Sequence, residues 1–234
     1  MAKRARGLFI AGTDTEVGKT RVTADMVSAL VGERLRVAVM KPIAAGAERI
    51  AGGGLRNADA IELMRAANVE TPYERVNPYC FELPASPHIA ARIAGIRIDP
   101  AVIKREFEAQ AASPAVDLVA IEGAGGWLAP ISESQTMADV AVALGQPVIL
   151  VVGLRLGCLN HALLTADAIR ASGLTFAGWI ANSLQPHFEH AAENIALLER
   201  RLPGPLLESV AFDASAFVSV TALRRLRDAL HLND

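Results

Sequence analysis

Short apolar runs alternate with longer helical patterns along the chain. The apolar runs occupy residues 7–11, 36–40, 117–122, 147–152, 175–181 and about 206–211. The helical patterns cover residues 19–32, 58–67, 87–94, 99–112, 137–144, 159–172, 188–201 and the C-terminal segment. Apolar strands alternating with helices are typical of a parallel sheet that is buried on both faces. We therefore predict an α/β fold, a single domain over residues 1–234, with a mostly parallel sheet of about seven strands and helices on both faces.

The first apolar run leads directly into the sequence GTDTEVGKT, residues 12–20. A loop that ends in GKT between a strand and a helix is typical of a phosphate-binding loop. We expect N–H groups of residues 16–20 to contact phosphates, the Lys19 ammonium to reach the β and γ oxygens, and the Thr20 hydroxyl to bind Mg²⁺. The generic pattern GxxxxGK[ST] has its first glycine one place later than Gly12. The sequence thus predicts a phosphate loop with a variant spacing rather than an ordinary turn.

Polar residues follow other apolar runs at the sheet edge where ligands bind in such folds. Lys41 follows the second run, Glu122 ends DLVAIE and Asn182 follows TFAGWIA. We expect Lys41 to supply a second cation, Glu122 to bind Mg²⁺ and Asn182 to contact a nucleobase. Asp59 starts a predicted helix and is another candidate metal ligand, but an aspartate there is often only a helix cap. For Lys41 and Glu122 the alternative is a side chain that simply faces solvent.

Composition and charge argue against several classes of protein. The formal net charge is −2 and no segment gathers like charges, so binding to nucleic acid or to an anionic membrane is not expected. No apolar run approaches the roughly 18 residues of a membrane span, and MAKRAR is followed by no signal-peptide core. Cys80 and Cys158 form no CxxC pair, which argues against a disulfide framework, a zinc site or an iron–sulfur cluster. We expect a cytoplasmic protein.

Seven segments together resemble one enzyme family. In chain order they are GTDTEVGKT, MKP, LRNADA, VNPYCFELPASPHIAA, IEGAGGW, ILVVGLRLGCLNHALLTADAI and GWIAN, and they span about residues 7–210. This combination resembles the dethiobiotin synthetases, whose phosphate loop has the same spacing. The resemblance implies an ATP- and Mg²⁺-dependent ligase of the P-loop NTPase fold that makes dethiobiotin from 7,8-diaminononanoate and CO₂. It further implies a carbamate intermediate, a carbamic-phosphoric anhydride, and a homodimer whose substrate site is shared across the interface.

The resemblance also assigns roles to individual residues. The implied nucleotide-binding residues are Glu16, Val17, Gly18, Lys19, Thr20, Arg21, Asp59, Glu122, Gly123, Ala124, Gly125, Asn182 and Ser183. Of these, Thr20, Asp59 and Glu122 would bind Mg²⁺. Lys19 and Lys41 would act on the reacting groups. The implied substrate-binding residues are Thr15, Lys41, Ala45, Gly157, Cys158, Leu159 and Asn160.

The last four of these residues form a turn that the resemblance places in the active site of the neighbouring subunit. The turn opens a predicted helix near Leu159, so N–H groups of residues 157–160 would form an anion site for the substrate carboxylate. The alternative is that Asn160 only caps this helix.

Two positions depart from the family pattern. Ala45 stands where a serine that faces the substrate is expected, so a side-chain hydrogen bond to the diamine or carbamate is missing. Residues 211–213 follow the last strand where the family more often has a proline and an apolar residue, and they are the expected ribose contacts.

Other classes share this architecture. An ATP-driven dimerisation switch of the partition or septum-positioning type carries a second lysine early in the loop, where this chain has Asp14. An enzyme that amidates cobyrinic acid normally adds a glutaminase domain, for which 234 residues leave no room. A nitrogenase-type reductase needs cluster cysteines that Cys80 and Cys158 cannot provide. The ligase is therefore favoured, and the dimerisation switch is the alternative.

Overall fold

The structure is a computed structural model and describes residues 5–214 and 219–230. Its strands are β1 (Arg6–Gly12), β2 (Val37–Met40), β3 (Ile43–Ala44), β4 (Glu48–Arg49), β5 (Leu55–Arg56), β6 (Tyr79–Cys80), β7 (Leu118–Glu122), β8 (Val148–Leu154), β9 (Phe176–Ser183) and β10 (Leu206–Val210). Its helices are α1 (Lys19–Gly32), α2 (Ala58–Ala66), α3 (Tyr73–Val76), α4 (Pro87–Ala94), α5 (Pro100–Ala111), α6 (Met137–Leu144), α7 (Cys158–Ala171), α8 (Ala191–Arg201) and α9 (Val220–Ala229). These elements form an α/β fold around a central sheet.

Within residues 5–214 and 219–230, the central sheet has six parallel strands in the order β10-β9-β8-β1-β7-β2. Pairing sets Ile10 of β1 level with Glu122 of β7, and Met40 of β2 level with Ile121 of β7. The segments that follow β1, β2 and β7 therefore leave the sheet side by side at its carboxyl edge. Ligands bind at this edge in open α/β sheets.

Helices cover both faces of the sheet. Along β1, Phe9 and Ala11 belong to one buried cluster, whereas Leu8 and Ile10 belong to the other. The first cluster includes side chains from α5, α6 and α7, and the second includes side chains from α1, α2 and α9. Because side chains alternate between the two faces of a strand, a strand that fills both clusters must be apolar throughout. Full burial of each large apolar side chain stabilises the fold by roughly 1.5–3 kcal/mol.

The predicted fold class is confirmed, and all six predicted apolar runs form strands of the central sheet. The predicted count of about seven strands is wrong. The further short strands pair outside the central sheet, β3 with β6 and β4 with β5, and each is only two residues long. The helix predicted from about residue 188 begins at Ala191, because His190 has a left-handed φ of 59° that a right-handed helix cannot include.

Candidate active site

The loop between β1 and α1 closes around the Lys19 side chain. Lys19 Nζ donates a hydrogen bond of 2.8 Å to the backbone carbonyl of Asp14. A Cβ on Gly12 would lie 2.8 Å from Lys19 Nζ and 2.8 Å from a methyl carbon of Val17, closer than the packing allows. At the other end of the loop, Gly18 adopts a φ of 81° and α1 begins at the next residue. The glycine at position 12 therefore makes room for the lysine side chain.

Lys19 is buried, and burial makes its ammonium easier to deprotonate. Burial is the main reason that the pKa of Lys19 falls from 10.5 to about 8, and the positive charge of Lys41 lowers it further. The carboxylates of Glu122, Asp14 and Asp59 act in the opposite direction. An ammonium that loses its proton near pH 8 should bind phosphate more weakly above that pH.

Lys41 follows β2 and lies between two carboxylates. Its Nζ is paired with Glu122 Oε1 and lies 3.1 Å from Asp59 Oδ2. Lys41 and Glu122 are buried, whereas the Asp59 side chain is 45% exposed. Burial by itself would lower the pKa of Lys41, but the charges of Glu122 and Asp59, with their hydrogen bonds, outweigh it and raise that pKa. Lys41 therefore keeps its charge at the sheet edge.

Glu122 joins α1 to the same cluster. The Thr20 hydroxyl donates a hydrogen bond of 2.9 Å to Glu122 Oε1. Glu122 Oε2 is buried, and no donor among residues 5–214 and 219–230 reaches it. Leaving a charged oxygen buried without a partner is unfavourable, and Mg²⁺ prefers carboxylate and hydroxyl oxygens. Thr20, Asp59 and Glu122 thus form a donor set whose chemistry fits Mg²⁺.

Asp59 does not cap α2; Asn57 does. The helix is capped by Asn57, whose Oδ1 accepts a hydrogen bond of 3.3 Å from the Ala60 N–H. Asp59 lies inside the first turn and faces Lys41. The alternative in which Asp59 only caps the helix is therefore wrong. Sequence reasoning missed Asn57, although an asparagine before a helical pattern is a common cap.

A cavity of about 530 Å³ lies beside Lys41 and Asp59. It is lined by Thr15, Glu16, Lys41, Ile43, Ala44, Ala45, Asn57, Asp59, Pro84, Ala85, Ser86, Pro87, Ala124, Gly125, Ala129 and Pro130. Its charged residues come from the phosphate loop, the segment after β2, and α2, and most of the other lining side chains are small or apolar. Its volume lies in the range of small-molecule sites.

The glycine-rich segment after β7 lies against the phosphate loop. Gly125 has a φ of 61°, and a Cβ there would lie 3.4 Å from Thr15 Oγ1. A Cβ on Gly123 would lie 3.1 Å from the Phe9 ring. Ala124 and Gly125 line the cavity together with Thr15. These positions allow the two loops to approach each other closely.

Asn182, near the end of β9, contacts the phosphate loop from the other side. Its Nδ2 donates a hydrogen bond of 2.9 Å to the Val17 carbonyl. A Cβ on Gly18 would lie 2.2 Å from this nitrogen, so the contact requires glycine there. Asn182 Oδ1 is buried and accepts no hydrogen bond from the described part of the chain. It is therefore an acceptor suited to an exocyclic amino group, and Ser183 follows it as the last residue of β9.

Arg21 and Ala45 occupy positions at the borders of the site. Arg21 donates a hydrogen bond to the carbonyl of Ala214, which ties α1 to the segment after β10. Ala45 lines the cavity, and its carbonyl accepts a hydrogen bond of 3.2 Å from Asn57 Nδ2.

The turn before α7 is arranged differently from the prediction. Gly157, with a φ of 95°, is the N-cap, and Asn160 lies within the first turn, so the alternative in which Asn160 caps the helix is wrong. The Cys158 N–H is not a free donor, because it contacts the Arg155 carbonyl at 3.0 Å. None of Gly157, Cys158, Leu159 or Asn160 lines the cavity beside Lys41 in the same chain.

Asp14 connects the phosphate loop to this turn. Its Oδ2 is paired with Arg155 Nη2, and its Oδ1 accepts a hydrogen bond of 2.8 Å from the Thr15 N–H. The position of the second lysine in the dimerisation switches thus holds a carboxylate that binds a cation of its own chain. Sequence reasoning missed Arg155, because the contact joins segments that are distant in sequence.

A phosphate loop between the central strand and the first helix, with a threonine, a carboxylate and a lysine at the same edge, defines the class of P-loop nucleotide-binding proteins. Solved structures share this fold. The MinD cell division protein from Aquifex aeolicus superposes with a TM-score of 0.56 at 14% identity, over 96% of this chain and 87% of that chain. A likeness at so low an identity supports the fold alone.

Sequence comparisons narrow the class to one family. An AAA domain family model matches residues 6–215. A protein of Aromatoleum aromaticum named ATP-dependent dethiobiotin synthetase is 49% identical, over 90% of this chain and 92% of that protein. A protein of Vibrio vulnificus with the same name is 47% identical, over 90% and 92%. The chain belongs to the dethiobiotin synthetase family of ATP-dependent ligases, which confirms the family inferred from the sequence motifs.

Proposed function

We propose that this protein carboxylates 7,8-diaminononanoate with CO₂ and uses ATP to close the ureido ring of dethiobiotin, releasing ADP and phosphate. One amino group takes up CO₂ as a carbamate, and a carbamate oxygen accepts the γ-phosphoryl group. The second amine then attacks the carbonyl carbon of this mixed anhydride and expels phosphate. The observation that carries the proposal is the buried, charged Lys41, which lines a small-molecule cavity beside a phosphate loop.

In this proposal Lys41 stabilises negative charge on the carbamate and on the transferred phosphoryl group. The reaction brings several anions together, so it requires fixed cations and aligned amines rather than an acid–base pair. The pairing with Glu122 and Asp59 holds the ammonium at the sheet edge.

The nucleotide would bind along the phosphate loop and the end of β9. N–H groups of residues 16–20 and the Lys19 ammonium would contact its phosphates, and Asn182 Oδ1 would accept a hydrogen bond from adenine. Arg21, Ser183 and residues 123–125 would complete the contacts. Thr20, Asp59 and Glu122 would hold Mg²⁺, which when bound neutralises charge on the β- and γ-phosphates.

The diamine would occupy the cavity, between Thr15 and Ala45. The alanine offers a methyl group and a carbonyl that already accepts one hydrogen bond, so amine contacts at this position would use the second lone pair of that carbonyl. The small and apolar side chains of the lining suit the methylene chain of the substrate.

The substrate carboxylate would be bound by residues 157–160 of a second subunit, which makes the functional unit a homodimer. Two observations support this arrangement. These residues do not line the cavity of their own chain. Leu128, Leu156 and Leu164 are 62%, 93% and 62% exposed on the side of the molecule that carries the turn and the phosphate loop, and exposed apolar residues of this kind are typical of protein interfaces.

One assay tests the proposed reaction. The purified protein is incubated with diaminononanoate, labelled bicarbonate, ATP and Mg²⁺, and label is sought in a cyclic urea. Label in dethiobiotin that depends on both ATP and the diamine supports the proposal. Product without ATP dependence, or no labelled product from folded protein, overturns it. A cytoplasmic location stays a prediction, and within the described residues no helix has the length and apolarity to span a bilayer.

A further inference from the structure

The backbone of Lys41 is held from both sides by one short segment. The Lys41 N–H donates a hydrogen bond of 2.9 Å to the carbonyl of Val76, the last residue of α3. The Lys41 carbonyl accepts a hydrogen bond of 2.6 Å from Asn77 Nδ2. Asn77 is buried, and its Nδ2 also donates to the Tyr79 carbonyl at 3.3 Å. The location of Lys41 therefore depends on a segment far along the chain.

Asn57 fixes the segment that carries Asp59. Its Oδ1 caps α2, and its Nδ2 binds the Ala45 carbonyl at 3.2 Å, on the cavity wall. Asp59 lies in the first turn of α2, where its Oδ2 is 3.1 Å from Lys41 Nζ. A shift of Asn57 would therefore move both Asp59 and the cavity wall.

The Tyr73 hydroxyl connects these two anchoring points. It accepts a hydrogen bond of 2.7 Å from the Asn57 N–H and donates one of 3.0 Å to Asn77 Oδ1. All three residues are buried, so these hydrogen bonds are not exchanged for water. The Arg56 guanidinium lies 4.0 Å from the centre of the Tyr73 ring and covers it. Burial raises the pKa of Tyr73, so the hydroxyl keeps its proton.

The contacts form a closed circuit: Lys41 to Asp59, along α2 to Asn57, and through Tyr73 and Asn77 back to Lys41. We propose that Tyr73 is a positioning residue, whose hydroxyl holds Lys41 and Asp59 in the arrangement needed for the reaction. The inference rests on the proposed role of Lys41. It also gives a role to Asn77, which belongs to the segment VNPYCFELPASPHIAA and does not line the cavity.

The test compares two Tyr→Phe variants, each of which loses one buried hydroxyl group. Tyr73→Phe deletes the connecting hydroxyl and keeps the ring. Tyr79→Phe deletes the hydroxyl of another buried tyrosine. That hydroxyl accepts a hydrogen bond of 2.9 Å from the Asp99 N–H and makes no hydrogen bond to Asn57 or Asn77 within the described residues, whereas the contact of Asn77 with the Tyr79 carbonyl is kept. Both variants should lose melting temperature, and Tyr73→Phe should lose more, because its hydroxyl makes two buried hydrogen bonds and the Tyr79 hydroxyl makes one. Only Tyr73→Phe should lower kcat, by about tenfold, with the KM for ATP changed less than about twofold, because a small displacement of a reacting group slows the chemical step.

A double-mutant cycle shows whether the effect passes through Lys41. In a Lys41→Gln background, Tyr73→Phe should lower kcat by less than about twofold, because coupled residues are not additive. Asn77→Ala, which removes the contact to the Lys41 carbonyl, should lower kcat by about the same factor as Tyr73→Phe. If Tyr73→Phe does not fold, Asn77→Ala provides the test.

Two outcomes would overturn the inference while leaving the proposed reaction intact. In the first, the wild-type chain makes dethiobiotin and the two tyrosine variants have equal kcat. In the second, Tyr73→Phe lowers kcat by the same factor with and without Lys41. A wild-type chain that makes no dethiobiotin would instead contradict the proposed function.

Discussion

Lys41 Nζ lies 3.1 Å from Asp59 Oδ2, which joins the end of β2 to the first turn of α2. The same ammonium is paired with the buried Glu122 at the end of β7. Three segments that are far apart in sequence thus meet at one positive charge. Because this charge is fixed by the fold, it needs little reorganisation when anionic groups develop beside it, which is the requirement for electrostatic catalysis.

Replacement of Lys41 should affect the chemical step. Lys41→Gln is expected to lower kcat by about 100-fold, the size of effect seen when one group that stabilises transition-state charge is removed. Lys104→Gln is the matched control, because Lys104 is exposed on α5, and it should leave kcat unchanged. Breaking a buried ion pair also costs roughly 3–5 kcal/mol of stability. Thermal melting of the variant with and without ADP should therefore establish that it folds and still binds nucleotide. An unchanged kcat would show that Lys41 plays no part in the chemical step.

Replacement of Asn182 should affect nucleotide binding instead. Asn182→Ala is expected to raise the KM for ATP by about tenfold and to reduce the preference for ATP over GTP, with kcat at saturating ATP nearly unchanged. Asn68→Ala is the control, because Asn68 Nδ2 also donates to a backbone carbonyl, that of Leu35 at 2.9 Å, but at an exposed position outside the site. Steady-state kinetics with both nucleotides check this. A variant with unaltered KM values would remove Asn182 from the proposed nucleotide site.

Nucleotide affinity should decrease as pH rises through the pKa of Lys19, about 8. Phosphate binds the charged ammonium, so binding should raise this pKa and take up about half a proton at pH 8. Calorimetric titration with ADP in two buffers of different ionisation enthalpy measures the uptake. Lys19→Arg should remove it, because arginine stays charged throughout. Proton release, or uptake that persists in the arginine variant, would assign the effect to another group.

Complementation tests the shared site. Lys41→Gln and Asn160→Glu chains should each be nearly inactive as homodimers. An equal mixture that re-forms dimers at random should recover about one quarter of the wild-type activity, because half of the dimers then contain one intact composite site. Mixing Lys41→Gln with Glu122→Gln is the control and should recover nothing, since both changes fall in the same chain's part of the site. No recovery in the first mixture, although heterodimers form, would contradict the shared site.

The sequence predicted the sheet well because each central strand is apolar on both faces. Strands such as β8, which is buried along its whole length, leave a continuous apolar run that is visible without any tertiary information. The short strands outside the central sheet, such as β3 and β6, were missed because a strand of two residues leaves no apolar run to recognise. The predicted start of α8 was wrong because the left-handed conformation of His190 follows from its context and not from its residue type.

The candidate site was only partly predictable, for a related reason. Lys41, Glu122 and Asn182 follow or end apolar runs, so the strand pattern alone places them at one edge. The contact between Asp14 and Arg155, and the circuit through Tyr73 and Asn77, join segments that carry no periodic pattern. Such contacts depend on how loops pack over the sheet, which a single sequence does not reveal.

The ratio of phosphate released to dethiobiotin formed distinguishes a ligase from an ATPase. A ligase transfers its phosphoryl group to the carbamate rather than to water. Release should therefore require the diamine and CO₂ together, and one phosphate should appear for each dethiobiotin formed. Omitting the diamine should reduce release to background. Fast ATP hydrolysis without the diamine, stimulated instead by a protein or DNA partner, would contradict the ligase and favour an ATP-driven dimerisation switch.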